Sequence, residues 1–169
     1  MTLAEIRISA IAPALELLPA QMTSPEAVVM LLAIGLQESR FQHRRQLVGS
    51  PPRPLGPAKS FWQAEQGGGM VRGLLRYHDP RVRDLATGLC VIRGVALDTR
   101  SVWDAIEHDD VLAAGLARLL LWTDPRRLPA LGDAQAAWDL YIRTWRPGKP
   151  HRQTWDALYA QALREVLHG

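Results

Sequence analysis

Apolar residues recur at helical spacing along most of this chain, and the alternating pattern of a β-strand is nearly absent. The clearest helix begins at Ser24-Pro25-Glu26, where an N-cap residue, a first-turn proline and an early acidic residue follow one another. From Val28 to Leu36 this helix is apolar around most of its circumference, which is typical of a helix buried at the centre of a fold. The pattern therefore predicts one buried central helix.

Further helical patterns precede and follow the central helix. Residues 3–18 are expected to form one or two short helices, broken near Pro13 and ended by Pro19. The later helices are expected at residues 70–77 and 81–95, at a short segment capped by Asp98 or Thr99, at 111–122, after an Asp133 cap, and at 154–167. We therefore expect an all-α fold, with residues 1–169 forming a single domain of about seven to nine helices around the central one.

Helical periodicity fails between residues 47 and 69. This segment contains Pro51, Pro52, Pro54, Pro57 and the triplet at residues 67–69, Gly-Gly-Gly. An irregular stretch of this length inside a compact domain is usually functional or disordered. The apolar pair Phe61-Trp62 argues against disorder. The glycines lack the lysine and the Ser/Thr that would follow them in a phosphate-binding loop. We therefore interpret the triplet as a flexible hinge instead of a phosphate site.

Length and composition limit the possible classes of protein. A chain of 169 residues can bury one core but is too short for two ordinary domains, and 47% apolar with 22% charged residues is typical of a globular protein. We expect no membrane insertion, because no apolar run approaches the ~20 residues that cross a bilayer, and no signal peptide. Cys90 is the only cysteine and the histidines lack metal-ligand spacing, so we expect no metal and no cofactor.

The charge pattern bears on the partner. A net charge of +3 would attract any polyanion, including nucleic acid, anionic lipid and cell-wall polymers. The arginines are scattered among acidic residues, and residues 79–84 contain both signs, so no basic face emerges. A helical nucleic-acid-binding protein is therefore an alternative, but we expect no nucleic-acid partner.

Glu38 is the main candidate for chemistry. It lies near the C-terminal end of the apolar helix, where the pattern turns polar. Apolar surroundings and the negative end of a helix both disfavour an ionised carboxylate and raise its pKa. Cleavage of a glycosidic bond requires a carboxylic acid that is protonated near neutral pH, because the leaving oxygen must gain a proton. On position alone, Glu38 could also be a solvated residue at a helix end.

Three short segments together resemble the motifs of the soluble lytic transglycosylases and related phage muralytic enzymes: Glu38-Ser39-Arg40-Phe41, Gly56-Pro57-Ala58 and Ser60-Phe61-Trp62-Gln63. In that family a Glu-Ser pair ends a buried helix, a Gly-Ala pair follows, and a Gly-Leu-Met-Gln segment lines the cleft. The resemblance covers about residues 31–66. This chain departs from the family in a longer, proline-rich insertion and in Phe-Trp where the family has Leu-Met.

The resemblance implies a lysozyme-like catalytic domain that cleaves peptidoglycan glycan strands at the β-1,4 bond between N-acetylmuramic acid and N-acetylglucosamine. Glu38 would protonate the bridging oxygen and then act as a base on the 6-hydroxyl of the muramoyl residue. A 1,6-anhydro product would form without water. The family context also implies a monomeric phage or prophage product, made in the host cytoplasm and reaching the wall by holin-dependent release or in the virion.

The resemblance also implies roles in substrate binding. Gln63 would hydrogen-bond an N-acetyl group or a sugar hydroxyl, or else cap the backbone of its loop. Trp62 would stack on a sugar face or pack in the core, with Ser60 beside it in the cleft segment. Ser50 resembles the family's serine that supports the acid. Tyr141 lies where the family has a tyrosine that approaches the acid, and residues 145–150 either close the groove or only end a helix.

Two alternatives to a lytic transglycosylase remain open. A hydrolytic muramidase generally has a second carboxylate at the cleft. Glu65 is the best candidate for that carboxylate, and Asp79 is a distant second. The other alternative is a catalytically inactive lysozyme-fold component of a phage tail or virion.

Overall fold

The computed structural model describes residues 1–169 and contains eight α-helices and no strand, so the predicted all-α fold is confirmed. Shorter helical turns are a 3-10 turn at Ala20–Met22 and two π-helical turns at Arg7–Ile11 and Gly69–Gly73. The α-helices are α1 (Leu3–Ile6), α2 (Ala12–Glu16), α3 (Pro25–Ser39), α4 (Pro80–Ile92), α5 (Thr99–Ala105), α6 (Asp110–Trp122), α7 (Ala134–Trp145) and α8 (Arg152–His168).

Helix α3 is the buried central helix that the apolar pattern predicts. The Ser24 side chain accepts a hydrogen bond from the Ala27 amide, and Pro25 occupies the first turn. Every residue from Val29 to Leu36 is buried. Helix α8 packs along α3. Helix α6, which is as apolar as α3, packs against α4, α2 and the first π-helical turn. These contacts form one continuous hydrophobic core.

The N-terminal segment differs from its sequence prediction. Residues 3–16 stay helical through Pro13, so the predicted break is wrong. The π-helical turn at Arg7–Ile11 leads directly into α2, where Pro13 is the second residue. A proline lacks the amide that a helix interior requires, and a local change of helical pitch accommodates it.

No helix in the structure combines the length and the apolar character that crossing a membrane requires.

Close packing between Gly35 and Phe41 shapes the end of α3. Both Arg40 and Phe41 have left-handed backbone angles, with φ of 56° and 54°, so the chain turns back on the helix. The buried Phe41 ring then packs edge-on against Phe61 and Trp62. A Cβ added at Gly35 would overlap the Phe41 ring. Only glycine therefore fits at position 35 without displacement of the ring.

We expect Gly35→Ala to lower the free energy of unfolding by about 1–3 kcal/mol, because the methyl group overpacks the Phe41 contact. The matched control is Gly88→Ala in α4, where an added Cβ meets nothing within 4 Å. That control should raise the free energy of unfolding by about 0.5–1 kcal/mol through helix propensity alone. Urea denaturation measures both effects. Equal stabilisation by the two substitutions would contradict the packing argument.

Candidate active site

A large groove passes the C-terminal end of α3, and Glu38 lines it. Its walls come from the segment at residues 58–69, the second π-helical turn, the end of α6, and α7 with the loop that follows. The volume of the groove is about 1520 Å³. Sites for small molecules usually measure ~300–1,000 Å³, so this volume favours an extended ligand.

The environment of Glu38 keeps its carboxyl group protonatable near neutral pH. Burial raises the pKa of Glu38 from 4.5 to about 7, and a hydrogen bond from Tyr141 partly opposes this increase. No basic side chain contributes to the pKa. Near pH 7 the protonated and ionised forms are therefore both populated, which is the condition for a group that donates and then recovers a proton.

Tyr141 holds one oxygen of Glu38. Its hydroxyl donates a hydrogen bond of 2.6 Å to Oε1 of Glu38. The phenol ring is buried and stacks on Trp155 at 5.2 Å, with the two planes 9° apart. Burial raises the pKa of Tyr141 further above its ordinary value, so the hydroxyl stays protonated and acts as the donor. This contact occupies Oε1 and leaves Oε2 of Glu38 as the oxygen that can carry a transferable proton.

We expect Tyr141→Phe to raise the pKa of Glu38 above about 7, because the hydrogen bond that lowers this pKa is lost. An NMR titration of the Glu38 carboxyl carbon measures the shift. The matched control is Tyr159→Phe, since the Tyr159 oxygen accepts from the Gly132 amide instead of contacting Glu38. A pKa that falls or stays the same in Tyr141→Phe would show that the hydroxyl does not tune this carboxyl.

Gln63 lines the same groove as Glu38. Its Nε2 donates to the Ser60 carbonyl at 2.8 Å, which is the backbone-capping contact that the sequence left open. Its Oε1 accepts no hydrogen bond from the protein and is available to an N–H or O–H donor in the groove. The capping contact and a ligand contact are therefore compatible.

Trp62 and Ser60 do not reach the groove. Of the two roles left open for Trp62, the structure has core packing, and it does not place Ser60 where a substrate could contact it. Trp62 is 0% exposed, and its indole nitrogen donates to the Leu31 carbonyl of α3 at 2.9 Å. Ser60 is also fully buried, and its Oγ accepts from the Trp62 amide. The large apolar ring gains more from burial in the core, where its N–H also finds an acceptor. Trp62 fixes the loop against α3, and Ser60 closes the turn within the loop.

The resemblance implied that Ser50 supports Glu38, but in the structure it does not. It is exposed in a turn closed by paired backbone hydrogen bonds between Val48 and Arg53, and it does not line the groove. Ser39 makes the connection between helix and loop instead. Its buried Oγ donates to the Phe61 carbonyl at 2.7 Å. The only sequence signal for this role is that Ser39 directly follows Glu38.

Sequence reasoning also missed the contacts that fasten the loop to α5. The Lys59 side chain is buried, and its Nζ lies 2.8 Å from carboxylate oxygens of both Asp104 and Glu107. The same ammonium group lies 3.7 Å from the centre of the Trp103 ring. The Trp103 indole nitrogen donates to the Pro57 carbonyl at 2.8 Å. These contacts hold the proline-rich loop in place, and the groove wall begins directly after its last proline, at Ala58.

The candidates for a second carboxylate differ in position. Glu65 is exposed and lines the groove. Asp79 caps α4 through the Arg81 amide and lies outside the groove, so it is not a candidate. Asp124 also lines the groove, but its carboxylate is bound to Arg143 at 2.9 Å. Glu38 and Glu65 are therefore the two carboxylates of the groove that form no ion pair.

The loop after α7 is part of the groove wall, and it also ends the helix, with Arg146 as the C-cap. Residues 145–149 all line the groove, and so does His151. The Trp145 indole nitrogen donates to the Trp62 carbonyl at 3.0 Å, which ties the end of α7 to the segment that carries Gln63. Trp145 is the tryptophan that lines the groove.

No group of three or more His, Cys, Asp or Glu side chains in the structure could hold a metal ion. Comparisons with protein-family models, with curated proteins and with solved structures each return no match to this chain.

Proposed function

We propose that this chain is a peptidoglycan-cleaving enzyme with a lysozyme-like fold, and that it acts as a lytic transglycosylase. Its substrate would be the glycan strand, cut at the β-1,4 bond between N-acetylmuramic acid and N-acetylglucosamine. The observation that carries the proposal is a protonatable carboxyl, with a pKa of about 7, held by Tyr141 in an extended groove that Gln63 also lines.

The proposed reaction uses one carboxyl group twice. Oε2 of Glu38 gives its proton to the bridging oxygen while the bond between that oxygen and C1 of the muramoyl residue breaks. The 6-hydroxyl oxygen of the same residue then bonds to C1, and its proton goes to the Glu38 carboxylate. The product is a 1,6-anhydro sugar, Glu38 is again protonated, and no water is consumed.

The surroundings of Glu38 support each half of this cycle. Burial favours the neutral acid before bond cleavage, and the Tyr141 hydroxyl stabilises the carboxylate that exists after it. The Gln63 Oε1, which accepts no protein hydrogen bond, would accept the N–H of an N-acetyl group. The fixed loop contacts keep these groups in place before the substrate binds.

A hydrolytic muramidase is a second candidate, because Glu65 also lines the groove without an ion-pair partner. In that mechanism Glu65 would activate a water or stabilise the positive charge that develops on the sugar. The exposure of Glu65 argues against the muramidase mechanism, since a solvated carboxylate stabilises a developing positive charge only weakly. The two candidates form different products from the same bond.

Mass spectrometry of the fragments released from purified peptidoglycan tests the proposal. We expect muropeptides with 1,6-anhydro ends, each lighter by one water than the corresponding reducing end. Glu65→Gln should retain most of the activity, like the exposed control Glu16→Gln. Reducing ends together with a deep loss in Glu65→Gln would support the muramidase. The absence of any cleavage would favour an inactive, lysozyme-fold structural component.

A further inference from the structure

A second cavity, of about 640 Å³, shares only Asp124 and Pro125 with the groove. Its walls come from residues 21–26, the C-terminal half of α6, and residues 124–130. The volume lies within the range of small-molecule sites. No step of the proposed glycan cleavage uses this cavity.

Arg118 lines the cavity as a buried cation without a carboxylate partner. The residue is 2% exposed, and its Nε donates to the Met22 carbonyl at 2.8 Å. Its guanidinium carbon lies 5.3 Å from the centre of the Trp122 ring. Nη1 is enclosed and has no hydrogen-bond partner, and no protein acceptor binds Nη2. Two of the three nitrogens of the guanidinium group are thus left without acceptors.

An unpaired buried cation is costly to keep. Burial lowers the pKa of Arg118 to about 10, so the group is still charged at neutral pH. Neither the single carbonyl nor the neighbouring ring supplies the opposite charge that a buried ion needs. A bound anion would supply it by accepting from Nη2, the guanidinium nitrogen that is neither enclosed nor hydrogen-bonded.

The rest of the lining also favours an anion. Arg126 and Arg127 face the cavity, are exposed, and form no ion pair. Helix α3 begins at this cavity, and the N-terminal end of a helix carries a partial positive charge. The carboxylates of the lining are Glu26 and Asp124, and Asp124 is already neutralised by Arg143. Three arginines therefore face one unpaired carboxylate.

We infer that this cavity is a binding site for a small oxyanion, a carboxylate or a phosphate group, anchored by Arg118 at its inner end and by Arg126 and Arg127 at its mouth. Both anions offer charged oxygens that accept short, charge-assisted hydrogen bonds from guanidinium N–H groups. The exposed arginines attract the anion, and Arg118 fixes its orientation. The site is independent of the chemistry proposed for Glu38.

Calorimetric titration of the full chain with inorganic phosphate and with succinate, at constant ionic strength, tests this site. We expect one of the two probes to bind saturably with a 1:1 ratio. Binding of phosphate would identify a phosphate group as the ligand, and binding of succinate would identify a carboxylate. Arg118→Met and Arg127→Gln should each weaken binding about tenfold or more, because each removes a charge-assisted contact. Arg164→Gln, which removes the same charge at an exposed position of α8, should leave the affinity unchanged.

Two results would overturn the site. One is a lack of saturable binding for both probes, and the other is an affinity that Arg118→Met and Arg127→Gln leave unchanged. Circular dichroism verifies the fold of each variant. If Arg118→Met fails to fold, the double variant Arg126→Gln/Arg127→Gln decides, because both residues are exposed and removing them leaves the core intact.

Discussion

Glu38→Gln is expected to lower the rate of glycan cleavage by about 100-fold or more. The amide has the size of the acid and still offers an oxygen to the Tyr141 hydroxyl, but it has no proton to give to the leaving oxygen. The rate at which soluble fragments leave purified peptidoglycan measures the effect. Turnover close to that of the unchanged protein would show that Glu38 is not the acid.

Stability measurements show whether Glu38→Gln loses activity because the acid is missing or because the variant unfolds. Folding raises the pKa of Glu38 from 4.5 to about 7, so the folded state binds more protons than the unfolded chain between these pH values. The stability of the unchanged protein therefore falls as the pH rises through this window. The shift corresponds to about 3 kcal/mol, and roughly 2 kcal/mol after a discount for partial exposure.

Glu38→Gln removes this cost because an amide does not ionise. At pH 8 the variant should melt about 4–8 °C above the unchanged protein, and near pH 4 the two should melt together. Calorimetric melting curves at both pH values check this. An inactive variant that also melts early at pH 8 would point to damage of the fold and would leave the acid unassigned.

The helices could be predicted because their signals are local. Ser24, Asp98 and Asp133 each cap a helix by accepting a hydrogen bond from an amide three residues later. The sequence indicated Ser24 and Asp133, and it indicated Asp98 as one of two possible caps. The continuous helix through Pro13 was not predicted. A proline usually marks a break, and whether a π-helical turn replaces it depends on packing against α6, which no local pattern contains.

The site was less predictable because its contacts join distant parts of the chain. Tyr141 lies 103 positions after Glu38, so the sequence could suggest its role but not their hydrogen bond. The segment around Trp62 has no period that would show which side chains face the core. Lys59 would ordinarily be solvated, and its burial depends on Trp103 and on the two carboxylates near it.

Backbone strain is concentrated around the groove. Non-glycine residues have left-handed backbone angles at five positions: Arg40, Phe41, Ser60, Gln63 and Arg146. Each such residue costs roughly 1–2 kcal/mol and persists only where surrounding contacts enforce it. All five adjoin the Glu38 end of α3, the Gln63 turn or the loop after α7. Sequence propensities would place glycine or asparagine there, so they gave no warning of these turns.

The largest effect on stability is expected from Trp62→Ala, at about 3–5 kcal/mol of unfolding free energy. The substitution empties a fully buried site between α3 and the loop and removes the hydrogen bond to the Leu31 carbonyl. The melting temperature should fall by roughly 6–20 °C, as measured by circular dichroism. The control is Trp122→Ala, because Trp122 is 38% exposed. This variant should lose much less of the free energy of unfolding.

Trp62→Phe separates the ring from its hydrogen bond. It keeps most of the apolar volume against Phe41 but cannot donate to the Leu31 carbonyl, so we expect a loss of about 1–3 kcal/mol. Turnover in this variant should follow stability, because Trp62 holds the Gln63 turn in place without touching the groove. Suppose instead that Trp62→Ala melted normally and still lost turnover. That result would contradict a purely structural role for Trp62 and would indicate that its side chain contacts the substrate during turnover.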